Sequence, residues 1–225
     1  MVAMLRTENG WIDQYKKKNA LWIHDGNPKH PHALLTSGKH SNGFFNSREV
    51  IPDEGLLREA ASDLVESFAL LGEDLRSLDG VVGPQTGATT LARLICEELT
   101  LGMDIDYFWA SPAKHDKDGK KSMVFSDEDR KILPHRWVLL CEDVLTTGGS
   151  VELAAQAVID AGGVVFPYVL VLVNRSGLKE VNGRKIVALI DRSMPIWEAD
   201  ECPLCKGGSE ALRPKDNWVR LNAVN

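Results

Sequence analysis

Two adjacent carboxylates, Glu142 and Asp143, stand just before the run Thr146-Thr147-Gly148-Gly149-Ser150. The run suits a phosphate. Glycines let the backbone approach a ligand closely, and the threonine and serine hydroxyls add donors. Where such a loop opens a helix, free N–H groups and the positive end of the helix dipole converge on it. Two acids beside a phosphate cradle would repel the phosphate itself. They make chemical sense if the ligand also presents hydroxyls or a metal ion. A ribose 5-phosphate does both, with its phosphate in the loop and its 2- and 3-hydroxyls over the carboxylates.

Flanking patterns supply the elements that must position this group. Val138, Leu139, Leu140 and Cys141 read as the end of a buried parallel strand, with the acids following it. Val151, Ala154, Ala155, Val158 and Ile159 fall at i, i+3, i+4, i+7 and i+8, one face of a helix. Neither G-x-x-x-x-G-K-[ST] nor G-x-G-x-x-G fits the loop. A weaker strand, loop and helix runs from Gly80 through Gly83-Pro84-Gln85-Thr86-Gly87 into Ala88 to about Leu99. Further helices are expected over Trp11 to Trp22, where Lys16-Lys17-Lys18 is a solvated face, and from Pro52-Asp53 to about Leu71. Strands are expected near Phe44-Phe45 and over Ile105–Trp109, Val164–Val173 and Ile186–Ile190. Ser111 to Ser126 reads as polar and lysine-rich, Ala110–Ser122 as a loop without an apolar face, and the chain beyond Asp191 as irregular. Strands alternating with helices predict an α/β fold with an open, mostly parallel sheet. Ligands bind such sheets beyond the carboxyl ends of the strands. That rule brings 83–87, 110–122, 142–150 and 174–175 to one edge.

The chain has 225 residues, enough for one domain or one domain with a small appendage. Its 44% hydrophobic content supports a sizeable core. A net charge of −6 argues against wholesale binding to nucleic acid or an anionic membrane, so local cations must hold an anionic substrate. The N-terminal stretch turns polar at Arg6 and lacks signal-peptide character. No apolar run approaches the ~20 residues of a membrane span. Four cysteines in a chain of this length point to a reducing cytoplasm rather than a disulfide framework. Cys96 and Cys141 are expected as small buried hydrophobes. Cys202-Pro203-Leu204-Cys205 is a CxxC, with no second pair at a matching spacing. Cys202 and Cys205 are therefore weak zinc candidates, expected as free thiols in a terminal turn.

Over its whole length Val138–Ser150 resembles the PRPP-binding motif of type I phosphoribosyltransferases (PRPP, 5-phosphoribosyl 1-diphosphate). Other segments look like the orotate phosphoribosyltransferases. They are Ser37-Gly38-Lys39-His40-Ser41-Asn42-Gly43-Phe44-Phe45, Asn174-Arg175, and the tail Cys202 to Gly207 with Arg213-Pro214-Lys215. There are departures. Thr36 stands where the family often has lysine, and Thr86-Gly87 where it usually has K-G. Ala110–Lys121 keeps basic residues but lacks the usual leading R-K. The resemblance implies the type I phosphoribosyltransferase fold, with helices flanking the sheet. An N-terminal hood would occupy 1–50, the core 51–195 and a C-terminal tail 196–225.

The same resemblance implies the chemistry: phosphoribosyl transfer from PRPP to orotate in pyrimidine biosynthesis, with Mg²⁺ as cofactor, in a cytoplasmic homodimer. It assigns catalysis to Glu142, Asp143, Lys114 and His115. The 5-phosphate goes to Thr146, Thr147, Gly148, Gly149 and Ser150, and the pyrophosphate to Thr86, Gly87 and Lys117. The base goes to Phe44, Phe45 and Arg175, and no residue is assigned to the metal directly. The basic stretch around Lys114 would close as a lid over the site. Two alternatives stay open: transfer to another nucleobase, or a non-catalytic PRPP-binding regulator of the same fold.

Overall fold

In the computed structural model the described residues are 5–223. Helix α1 (Glu8–Lys17) precedes four short strands, β1 (Leu21–Ile23), β2 (His32–Leu34), β3 (His40–Ser41) and β4 (Gly43–Phe45). Next come α2 (Glu54–Ala69), β5 (Gly80–Val82), α3 (Thr89–Met103) and β6 (Phe108–Ala110). A hairpin, β7 (Ala113–Lys117) and β8 (Lys120–Val124), leads to α4 (Asp127–Ile132), β9 (Trp137–Leu145) and α5 (Gly149–Asp160). The core closes with β10 (Val164–Asn174), β11 (Glu180–Val181) and β12 (Arg184–Asp191). The tail holds β13 (Ile196–Trp197), α6 (Pro203–Lys206), β14 (Ala211–Leu212) and α7 (Pro214–Asn222).

The main sheet runs β11-β12-β10-β9-β5-β6, all neighbours parallel except the antiparallel edge pair β11–β12. Its central strands are apolar on both faces because helices cover both sides. Side chains alternate across the sheet. Leu139, Cys141, Leu170 and Leu172 enter the core formed with α1, α2 and α3. Val138, Leu140, Val169 and Val171 enter the second core, formed with α5 and β8. Asp53 caps α2, its carboxylate accepting the Leu56 N–H at 3.0 Å.

Several expectations are corrected. The first helix ends at Lys17, and Trp22 lies instead in β1, opposite Phe44 of β4. Strand β9 continues through Glu142 and Asp143 to Leu145, so the acids belong to the strand and point to opposite sides of it. Ile159 is exposed, and Ala157 takes its place on the buried face of α5. Residues 111–126 contain a hairpin with buried Met123 and Phe125. Its tip, Asp118-Gly119, has φ values of 55° and 78°, the positive pair a two-residue hairpin turn requires.

The tail is not irregular. It completes a second sheet, β13-β3-β2-β14, in which Ala211 pairs with His32 and Trp197 with His40. Both ends of the chain therefore build the hood. Its own core is small: Trp22, Ala33, Leu35, Leu212 and Leu221, with Phe44, Ile196 and Trp218 packed alongside.

Candidate active site

The acid pair and the phosphate loop are contiguous in space. Glu142 and residues 144–151 line one cleft at the carboxyl end of β9. Gly148 adopts φ 83°, which favours glycine, and a Cβ there would meet the Val181 side chain at 2.8 Å. Helix α5 has no side-chain cap at Gly148, so its first-turn N–H groups remain available to an anion. Thr147 and Gly149 are exposed, and Thr146 and Ser150 half-buried, at the mouth of the cleft.

Glu142 is buried, and one of its carboxylate oxygens accepts the Asp143 N–H at 3.1 Å. Burial first, then the neighbouring Asp143 carboxylate, push its carboxyl well above the ordinary range, and Lys114 acts in the opposite direction. Asp143 projects on the other side of β9, toward the loop that follows β5. A Cβ on Gly87 would lie 2.7 Å from its carboxylate, so only glycine lets the two approach this closely. Among the described residues no cation lies within ion-pair distance of either acid.

The loop carrying Thr86 and Gly87, with a cis peptide at Gln85–Thr86, is tied to the base of the hairpin. The Gln85 N–H donates to Pro112 O at 3.0 Å, and the Ser111 hydroxyl donates to Gly83 O at 2.7 Å. Thr89 Oγ1 reaches the same Ser111 hydroxyl at 2.7 Å. The sequence reading did not single out Ser111. It is a buried polar residue in a stretch that otherwise reads as solvated. Lys114, His115 and Lys117 are exposed on β7.

Arg175 follows β10 directly, and its N–H donates to Leu145 O at 3.0 Å, next to the phosphate loop. Its side chain crosses to the hood: Nη1 donates to Gly43 O at 3.1 Å and Nη2 to Ser41 Oγ at 2.7 Å. The guanidinium is 1% exposed, its Nε has no partner, and no carboxylate among the described residues pairs with it. Burial alone lowers its pKa to about 10. Phe45 lies in the main core, edge-on to Tyr15 at 5.4 Å between centroids. Phe44 packs on Trp218 of α7. Neither ring lines the cleft around Glu142. Cys202 and Cys205 belong to the hood, form no disulfide, and face His32 and His40. No contiguous signal links these four residues, because strand pairing between distant segments brings them together.

The Phosphoribosyl transferase domain family matches residues 56–204. The chain is 32% identical to the orotate phosphoribosyltransferase of Desulforamulus reducens over 188 residues, 84% of this chain and 90% of that one. It is 31% identical to the orotate phosphoribosyltransferase of Caldicellulosiruptor bescii over 207 residues, 92% of this chain and 96% of that one. The fold is similar to the crystal structure of orotate phosphoribosyltransferase from Aeropyrum pernix, with a TM-score of 0.59 at 23% identity, covering 79% of this chain and 91% of that one. A phosphate cradle with an acid pair, in a sheet of this topology, thus coincides with relatedness along most of the chain, and the protein belongs to the phosphoribosyltransferase family, among the orotate phosphoribosyltransferases.

Proposed function

We propose that this protein transfers the 5-phosphoribosyl group of PRPP to a ring nitrogen of orotate, giving orotidine 5′-phosphate and pyrophosphate, a step of pyrimidine biosynthesis. The observation that carries the choice of base is Arg175. A buried guanidinium with no carboxylate partner, beside the phosphate loop and under the hood, calls for an anion. Orotate differs from uracil by one carboxylate. That group can replace the neutral acceptors on Ser41 and Gly43 with charge-assisted bonds to the same fork.

In this reading the loop 146–150 and the open N-terminus of α5 fix the 5-phosphate. Glu142 and Asp143 hold the ribose hydroxyls. The bond from C1 to the pyrophosphate oxygen breaks as the bond from C1 to the base nitrogen forms, and the proton of that nitrogen passes to solvent. Positive charge grows on the ribose and negative charge on the leaving group. Thr86 and Gly87, with Lys114, His115 and Lys117 of the hairpin, would meet the leaving group. The hood, with Phe44 and Phe45 supporting its strand, shields the base side from water.

The carboxylates fit Mg²⁺: they are hard oxygen donors with no cation of their own, beside a place for phosphates. Glu142 and Asp143 are the residues that would hold the ion, and when bound it would supply positive charge to neutralise the leaving group. The exposed hairpin suits a lid that reaches a neighbouring subunit in a homodimer. That none of the four cysteines is in a disulfide agrees with a cytoplasmic setting.

The test is PRPP- and Mg²⁺-dependent loss of orotate absorbance, with uracil and adenine run in parallel. Orotate alone should be consumed, with one pyrophosphate released per turnover. Preference for a base without a carboxylate overturns the assignment of orotate. PRPP binding without turnover of any base would favour the regulator.

A further inference from the structure

The hood carries a cluster that the transfer chemistry does not use. His32 of β2, His40 of β3, Cys202 at the N-cap of α6 and Cys205 within it each offer one ligand atom, all within 4.8 Å of one another. His32 Nε2 lies 3.5 Å from each sulfur and 2.9 Å from His40 Nδ1, and Cys205 Sγ lies 3.3 Å from His40 Nδ1. With Zn–S near 2.3 Å and Zn–N near 2.05 Å, a tetrahedral zinc site would show S···N edges of about 3.5 Å and an N···N edge of about 3.3 Å. The three S···N distances of 3.3 to 3.5 Å match those edges, and the N···N distance of 2.9 Å needs to open by a few tenths of an ångström to admit the ion.

The Ser209 hydroxyl fixes the tautomer of the His32 imidazole. Ser209 Oγ donates its only proton to His30 O at 2.6 Å, because a carbonyl can only accept. The same Oγ lies 2.8 Å from His32 Nδ1 and must therefore accept from the Nδ1–H. The lone pair of His32 is then on Nε2, facing the cluster. One lone pair cannot serve two thiols and a second imidazole, but a cation at the centre satisfies all four donors. An N–H of a ligating histidine held by a hydroxyl or carbonyl is the usual outer shell of a metal site.

The geometry points to a structural Cys₂His₂ zinc site formed by His32, His40, Cys202 and Cys205, clipping the C-terminal segment onto the hood. Two imidazoles and two thiolates in a closed tetrahedral set select Zn²⁺ over Mg²⁺ or Ca²⁺. Binding would displace the two thiol protons to solvent and leave no open coordination position, so the role is structural rather than catalytic. The need for such a clip is visible in the hood itself. Its strands are two or three residues long, and among the described residues five buried apolar side chains form its core. Small modules of this kind are commonly stapled by a metal.

The test uses the full chain, freed of any histidine tag and purified without chelator. Atomic emission should find about one zinc per chain, retained through desalting and released when a mercurial blocks the thiols. Independently of any variant, the wild-type protein stripped of metal should take up about one Co²⁺, showing the intense visible bands of a tetrahedral site and the near-ultraviolet charge transfer of two thiolates. Cys205→Ser and His40→Ala should each weaken metal retention by more than the roughly 10-fold that loss of a hydrogen-bond partner behind a ligand costs. Wild-type protein that takes up neither zinc nor cobalt under reducing conditions would overturn the proposal. So would zinc that stays bound in a Cys202→Ser/Cys205→Ser double variant, since the metal would then sit elsewhere.

Discussion

Glu142 is where stability and chemistry are opposed. Burial and Asp143 raise its carboxyl pKa in the folded protein, whereas in the unfolded chain it titrates near ~4.3. The folded state therefore holds the proton more tightly. This favours folding below the unfolded value, and the benefit is lost as pH rises through the folded value. Glu142→Gln keeps the neutral form at every pH. Without ligand its Tm should exceed that of wild type at pH 8, and the difference should disappear toward pH 4. In the same variant kcat should fall about 10²-fold, because the lost charge is one the transition state uses. A variant no more stable at pH 8 would contradict the buried, uncompensated carboxylate. At Gly87 the reasoning is steric. An added methyl meets the Asp143 carboxylate at 2.7 Å, so Gly87→Ala should displace it and lower kcat/KM on the order of 10²-fold, with little change in Tm.

At the scale of elements, the strand, cradle and helix from Val138 to Asp160 were readable in the sequence because every determinant is local: an apolar run, an acid pair, small residues and a helical stripe. The hairpin was missed. Its lysines suggested a solvated loop, although Asp118-Gly119 is a strong short-range signal for a two-residue turn. Met123 and Phe125 anchor the far strand, while Lys114, His115 and Lys117 stay in solvent. That division suits a lid, held at its base by Ser111 and free at its tip. Trypsin cleavage at Lys117, Lys120 and Lys121 should slow at least several-fold when PRPP and Mg²⁺ are added. A rate unchanged by saturating ligand would remove the lid from the mechanism. Lys114→Ala should lower kcat about 10²-fold and leave Tm unchanged, since the side chain is exposed.

Across the whole molecule, the hood is the part a linear reading could not assemble. Its sheet joins strands of two or three residues separated by most of the chain, and periodicity needs longer segments to register. The same long-range pairing hid the histidine partners of Cys202 and Cys205. It also alters the meaning of Arg175. The sequence places an arginine after a strand, whereas the fold buries it as the bond between core and hood. Removing residues 196–225 takes away β13, β14 and α7 with Leu212 and Leu221 of the hood core. The truncated chain should lose orotate binding by calorimetry while PRPP affinity changes only about 3-fold, since the cradle lies wholly in the other sheet.

The central claim is that a buried guanidinium selects orotate by its carboxylate. The direct measurement is the ratio of kcat/KM for orotate to that for uracil, in wild type, Arg175→Lys and Arg175→Gln. Arg175→Lys keeps the charge and reports on folding, and Arg175→Gln removes it. A site built around a buried charge rejects the ligand lacking the partner by about 10⁴-fold. The wild-type ratio should be of that order, fall in Arg175→Lys and collapse toward unity in Arg175→Gln, with the loss in KM for orotate and not for PRPP. A ratio that survives intact in a folded Arg175→Gln protein would contradict the account.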